Sequence, residues 1–204
     1  LNNFDIFDQR KLDNTLIDLD GTKQKNKLGA NSILAVSIAT CKLAAISKKI
    51  SLFKYLGGNT NNQMPLPLMN IINGGAHANN SLRIQEFMIR PERPKTFSES
   101  IRICFLVIQK LKSLINNKKL STTVGDEGGF APSLNTNEEA IEFIIEAIEK
   151  SGFKIGEEVS ICLDVAANEL YKESKYSIQS SKFESIENTI DYYLDLIDKY
   201  PIKS

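Results

Sequence analysis

The residues with the clearest chemistry stand together in Val124-Gly125-Asp126-Glu127-Gly128-Gly129-Phe130-Ala131-Pro132. Two carboxylates sit beside a Gly-Gly pair, directly after the β-branched run Thr122-Thr123-Val124. A strand that ends in glycines lets the backbone bend sharply and approach a ligand closely. Acids on such a bend point into whatever cleft the strand ends line. Taken alone, the same residues also describe a solvated turn, which favours these types. Partners elsewhere in the chain decide between the two.

Three further segments supply them. Asn73-Gly74-Gly75-Ala76-His77-Ala78 carries the chain's one histidine, which excludes sites built from several imidazoles, such as a structural zinc. A lone histidine in a glycine loop also serves as an ordinary hydrogen-bonding filler. Gln85-Glu86-Phe87 lies inside the apolar run Ile84–Ile89. Strand alternation sends Glu86 to one face with Ile84 and Met88, and Arg83 and Arg90 are expected on the opposite face. A carboxylate among apolar neighbours and without a partner is costly to bury, so Glu86 reads as functional. In Ile161-Cys162-Leu163-Asp164-Val165-Ala166-Ala167 an acid closes an apolar strand and small residues leave room for a bound group. An Asp there can instead cap the next element.

These candidates are acids and amides, with almost no imidazole or thiolate. Oxygen ligation selects a hard cation, and Mg²⁺ is the natural choice where a phosphorylated substrate brings further oxygens. Clustered carboxylates can also divide acid and base roles if their environments separate their pKa values.

Alternating helical and strand patterns must position these groups. Leu12, Leu16 and Ile17 give a weak stripe in the polar first 28 residues. Asn31 to about Lys48 is Ala-rich, with Leu34, Ile38, Cys41 and Ala45 on one face, which predicts a well-buried helix. A break at Gly57-Gly58-Asn59-Thr60-Asn61-Asn62 marks a domain boundary, giving domains 1–62 and 63–204. Strands are predicted at Leu66–Ile72, at Ile84–Ile89 (stopped by Pro91 and Pro94), through Val124, and at Ser160–Val165. Apolar spacings of three and four predict helices over 97–116 and 186–199. Thr136 with Glu139 forms a capping box that opens another, and Tyr171 and Tyr176 flank a hairpin. All four site segments are expected at strand C-terminal ends. This is the pattern of an α/β barrel or a doubly wound sheet.

With 25 basic and 25 acidic residues the chain has no net charge, which removes the electrostatic footprint of nucleic-acid or anionic-membrane binding. No apolar run reaches the roughly 20 residues of a membrane span. Cys41, Cys104 and Cys162 lie singly in apolar segments and read as reduced, buried thiols of a cytosolic protein. Leu1 and Ser204 read as the ends of a fragment.

The segments above, with Asp8-Gln9-Arg10, Leu19-Asp20-Gly21-Thr22 and Lys27-Leu28-Gly29-Ala30-Asn31-Ser32-Ile33-Leu34, resemble the enolase family in order and spacing, and the Ala-His and Ile-Gln-Glu wording is similar to bacterial-type members. The resemblance implies a cytoplasmic homodimeric lyase, also found at cell surfaces or secreted, that dehydrates 2-phosphoglycerate to phosphoenolpyruvate with Mg²⁺. It implies the first part of a TIM-like barrel, preceded by the helical part of an α+β N-terminal domain. By position, Glu127 is the acid that assists departure of the C3 hydroxyl, and Glu86 shares that end of the site. Asp164 is a Mg²⁺ ligand, while His77 and Gln85 contact substrate. The base lysine and two further metal carboxylates are expected downstream, so the fragment is expected to be inactive and poorly soluble. Asn79 and Arg83 stand where relatives often carry acids, and Glu173-Ser174 where they often place Asp-Gly. Two rivals are an enolase-superfamily enzyme acting on a non-phosphorylated acid, which would call for a Lys-x-Lys strand motif, and a non-catalytic relic or surface-binding homologue.

Overall fold

Three helices build the first of two units, Leu1–Gln63; the second runs from Met64 to Ser204. The computed structural model describes residues 4–58, 63–179 and 182–204, so the break read at Gly57–Asn62 lies, from Asn59 onward, outside the described residues. Helix α1 (Gln9–Asp20) opens where the Asp8 side chain accepts the Lys11 N–H and ends at left-handed Gly21, φ 67°. Leu12 and Leu16 of its stripe are buried, whereas Ile17 is exposed. Asp20 then gathers the following loop, its carboxylate accepting N–H groups from Thr22, Lys27 and Leu28.

Helix α2 (Ala30–Ser47) is less covered than its composition predicts. Cys41, Ala44 and Ala45 are buried, but Leu34 and Ile38 are 58% and 43% exposed. Among the described residues of this unit, α1 and α3 (Leu52–Gly57) are the elements that pack closely on it, so one side is covered and its other side is exposed. At 18 residues it is also long and apolar enough, by length and composition, to cross a membrane, against the expectation that no run comes close.

In the second unit β1 (Met69–Asn73), β2 (Glu86–Pro91) and β3 (Val159–Asp164) form one sheet in that order, each pair antiparallel. Two helices, α4 (Phe97–Asn117) and α5 (Asn137–Lys150), lie between β2 and β3. One crossover helix would return the chain for a parallel strand; two leave it at the end where β2 finished, and β3 runs back. Each helix is capped by a threonine. Thr96 and Thr136 accept the N–H of Glu99 and Glu139, and those glutamates reach back to the N–H of Lys95 and Asn135. The predicted box is present, displaced by one residue on its return bond.

One sheet face, with Phe87, Ile89, Val159 and Ile161, packs on Cys104, Val107 and Leu111 of α4 and Ile141, Ile144 and Ile148 of α5. These side chains are fully buried, and each of the larger ones contributes about 1.5–3 kcal/mol of transfer free energy. Strand limits differ from the sequence reading. β1 starts only at Met69, because Pro65 and Pro67 lack N–H groups for a ladder. β2 starts at Glu86, leaving Ile84 in the preceding loop, and keeps Pro91, paired with Val159. Thr122–Val124 makes no strand; Val124 alone bridges Phe130. Phe130 bonds the outer edge of β1, and Lys203 and Ser204 bond that of β3.

A second sheet, β4 (Tyr171–Lys172), β5 (Lys175–Gln179) and β6 (Lys182–Glu184), follows the short helix α6 (Ala167–Leu170). Tyr171 pairs with Tyr176, as the hairpin reading requires. The chain then enters α7 (Ile186–Lys199), whose Ile186, Ile190, Leu194 and Ile197 are each about half exposed.

The hairpin turn is Glu173-Ser174, with φ 50° and 63°. Such a two-residue turn needs left-handed backbone at both positions, which costs an L side chain energy that glycine avoids. Ser174→Gly is therefore expected to raise stability in urea unfolding by about 0.5–1 kcal/mol after glycine's entropy is subtracted. A lower unfolding midpoint would contradict the strain argument.

Candidate active site

The antiparallel order puts Asn73, Glu86 and Asp164 in one row at one end of the sheet. Asn73 and Asp164 close their strands, while Glu86 opens β2, which runs against its neighbours. This corrects the expectation that every site residue ends a strand. Asp126 and Glu127 depart from it too, since they follow an isolated bridge. Arg90 also differs from expectation. Residues 86, 88 and 90 share a face, but Arg90 lies opposite Ser160, away from the row, and pairs with Glu92 at 2.9 Å.

His77 ends a single 3-10 turn, Gly75–His77. Gly74 N–H donates to Gln85 O and Gly75 N–H to Leu82 O, both at 2.9 Å, which folds this loop onto the start of β2. The approach is close enough that a Cβ on Gly74 would collide with the Ile84 carbonyl and the Leu82 side chain. His77 Nδ1 lies 3.6 Å from Glu86 Oε1.

The acidic loop docks beside it. Gly125 N–H donates to Gly129 O at 2.8 Å, Gly128 takes φ 81°, and Asp126 N–H reaches His77 O at 3.3 Å. A Cβ on Gly125 would overlap Asn73 Nδ2 and His77 O, so glycine is required for this contact. As a result, one ligand atom each from His77, Glu86 and Glu127 lies within 4.8 Å of the others. Gln85 N–H donates to Asp164 O at 3.1 Å, and Gln85 lines a cleft with Ala166, Ala167, Asn168 and Glu169. Asp164 is exposed; its Oδ1 accepts the Ala166 N–H at 2.9 Å, so it does cap the next turn, and it still stands opposite Glu86.

Burial first, then the Asp164 and Glu127 carboxylates, push the Glu86 pKa up, and His77 opposes them. A desolvated carboxylate facing two like charges is a site prepared for a proton or a cation. Glu92, one residue past the end of β2, shows the contrast. Burial would raise its pKa too, but bonds from Ser160 and Arg90 outweigh it and the net direction is down.

Three asparagines escaped the sequence reading. Asn73 is fully buried and accepts from Asn70 Nδ2. Asn80 Nδ2 donates to Asn73 O and Pro132 O. Asn137, also buried, accepts from the N–H groups of Arg83 and Ile84 and donates to Ile178 O and Tyr192 OH. Their signal was available for two of them, since Asn73 and Asn80 flank His77. Asn137, directly after a cap threonine, looks like an ordinary helix-start residue.

A raised carboxyl pKa contributes stability below the group's ordinary value, here 4.5, and loses it as pH rises through the folded value. Glu86→Gln should therefore raise the thermal midpoint at neutral pH, with a much smaller gain near pH ~4. Melts of both proteins at the two pH values check this; a loss of stability at neutral pH contradicts it.

The Enolase, C-terminal TIM barrel domain matches residues 61–204, and the Enolase, N-terminal domain matches residues 1–56. The curated Enolase of Pelagibacter ubique (strain HTCC1062) is 61% identical over 199 residues, which is 98% of this chain and 48% of that protein. The chain thus spans about half the length of the curated relative it matches. With both domains matched in order along nearly all of its sequence, this chain belongs to the enolase family.

Proposed function

We propose that residues 63–204 are the first part of an enolase barrel and residues 1–62 the helical part of the domain before it, within a hydro-lyase that converts 2-phospho-D-glycerate to phosphoenolpyruvate. The observation that carries this reading is the convergence of His77, Glu86 and Glu127 at the sheet end where Asp164 stands opposite Glu86.

The donor set fits Mg²⁺. Glu86, Glu127 and Asp164 offer oxygen, and the repulsion that raises Glu86 is what a hard cation relieves. Mg²⁺, when bound, lowers the cost of charge that develops on the substrate's carboxylate oxygens. Asp164 holds it from the end of β3. Glu127, exposed on its glycine loop, gives a proton to the departing C3 hydroxyl. Glu86, whose proton affinity is raised, hydrogen-bonds that hydroxyl and the water it becomes. His77 and Gln85 orient the substrate from the loop folded onto β2. The base that takes the C2 proton, with the remaining metal carboxylates, is assigned to the half of the relative's length that this chain does not span.

Cys41, Cys104 and Cys162 are free and buried, which supports a reducing, cytoplasmic setting. The family resemblance supports a homodimer.

Two outcomes follow. The purified 204-residue chain with Mg²⁺ is expected to form no phosphoenolpyruvate from 2-phosphoglycerate; turnover would show that the site is already complete. When the chain is joined to the complementary half of a bacterial enolase, activity is expected. Glu127→Gln should then lower kcat by about 10²–10⁴-fold, the range for a lost general acid. An unchanged kcat removes Glu127 from that role.

A further inference from the structure

Backbone bonds from Phe130 to Ile71 and Asn73 join the far end of the acidic loop to β1, and one side-chain amide adds a tie between that end and the loop that carries His77. Asn80 Nδ2 donates to Asn73 O at 3.0 Å and to Pro132 O at 3.1 Å, and its Oδ1 accepts the Leu82 N–H at 3.2 Å. The first carbonyl belongs to the end of β1, level with Glu86. The second follows the acidic loop, 52 residues away in sequence. The bond made directly between the loops' tips, Asp126 N–H to His77 O, is 3.3 Å, at the weak end of the range.

The acidic loop needs such a tie. The Gly125 N–H to Gly129 O bond closes the neck of the loop, and Glu127 at its tip is exposed, so the place of the carboxylate follows from where that neck is held. A carboxamide is the short side chain with two N–H donors and an acceptor. Asp has no donor, Ser has one, and Gln carries the group one methylene further out.

We propose that Asn80 is a positioning residue: by clamping the end of β1 to Pro132 it sets the separation of His77 and Glu127, without touching substrate. The inference rests on reading these residues as one site, and not on which substrate the site takes.

His77 is the chain's single histidine, so its Cε1–H gives one unambiguous NMR signal. In the parent chain Glu127→Gln is expected to shift that signal. In the Asn80→Asp background the same substitution should shift it by about half as much or less, the mark of lost coupling in a double-mutant cycle. Exchange of the Asp126 N–H should be about tenfold faster in Asn80→Asp. The Leu82 N–H should keep its protection, because the carboxylate retains the acceptor. If Asn80→Asp does not fold, Asn80→Ser, with one donor left, is read the same way and is expected to fall between the two. A merely structural Asn80 would lower the thermal midpoint yet leave the His77–Glu127 coupling and the Asp126 exchange unchanged, and that result overturns the proposal. Neither readout involves substrate or turnover, so failure here and failure of the enolase reading are separate results.

Discussion

Glu86 stands directly opposite Asp164 across the β2–β3 ladder, and like charges in that relation repel. A sheet left to itself would slip or splay to separate them. It is held because the residues next along, Phe87 opposite Leu163 and Ile89 opposite Ile161, drive the other face of the same strands into the α4–α5 core. A slip by one residue would turn that whole apolar set toward solvent. Several large side chains with no exposed surface thus hold one unfavourable carboxylate pair in place, and the pair stays poised for a cation.

The loops add a second constraint. Gly74 and Gly125 approach other backbone so closely that a methyl group would overlap it or its neighbours, and Gly129 leaves room for one only if neighbours shift slightly. The glycines let the loops nest, and their N–H groups close each loop on itself or on its neighbour, Gly74 to Gln85 O and Gly125 to Gly129 O. Asparagine side chains, which donate and accept at once, add ties between segments. Asn80 bonds the acidic loop to the end of β1, and Asn137 bonds the start of β2 to the hairpin and α7. Close approach and side-chain ties are separate devices, and this site end uses both.

The sequence made the helices legible because their periodicity and caps are local. The 97–116 stripe and the Thr136–Glu139 box appear nearly where they were read. The Tyr171–Tyr176 hairpin is legible for the same reason. Strand direction was not, because it depends on how many helices separate two strands in space. The strand expected through Val124 failed because its glycines fold back within the loop, where Gly125 bonds Gly129. The burial expected of α2 failed because an alanine-rich helix is apolar nearly all round, and composition does not say which side has a neighbour. The convergence of His77, Glu86 and Glu127 was legible only as residue types, since their separation is set by pairing across the sheet.

Two glutamates, one opening β2 and one just past its end, show what separates a site from its scaffold. Glu92 is covered like Glu86, but Arg90 and Ser160 satisfy it, and its pKa falls. Glu86 has a lone imidazole 3.6 Å away and two carboxylates near it, and its pKa rises. Residue type and burial are the same; partners differ. A half-buried carboxylate that the protein could have paired, as it did just past the other end of β2, and did not, is one whose remaining partner comes from outside the chain.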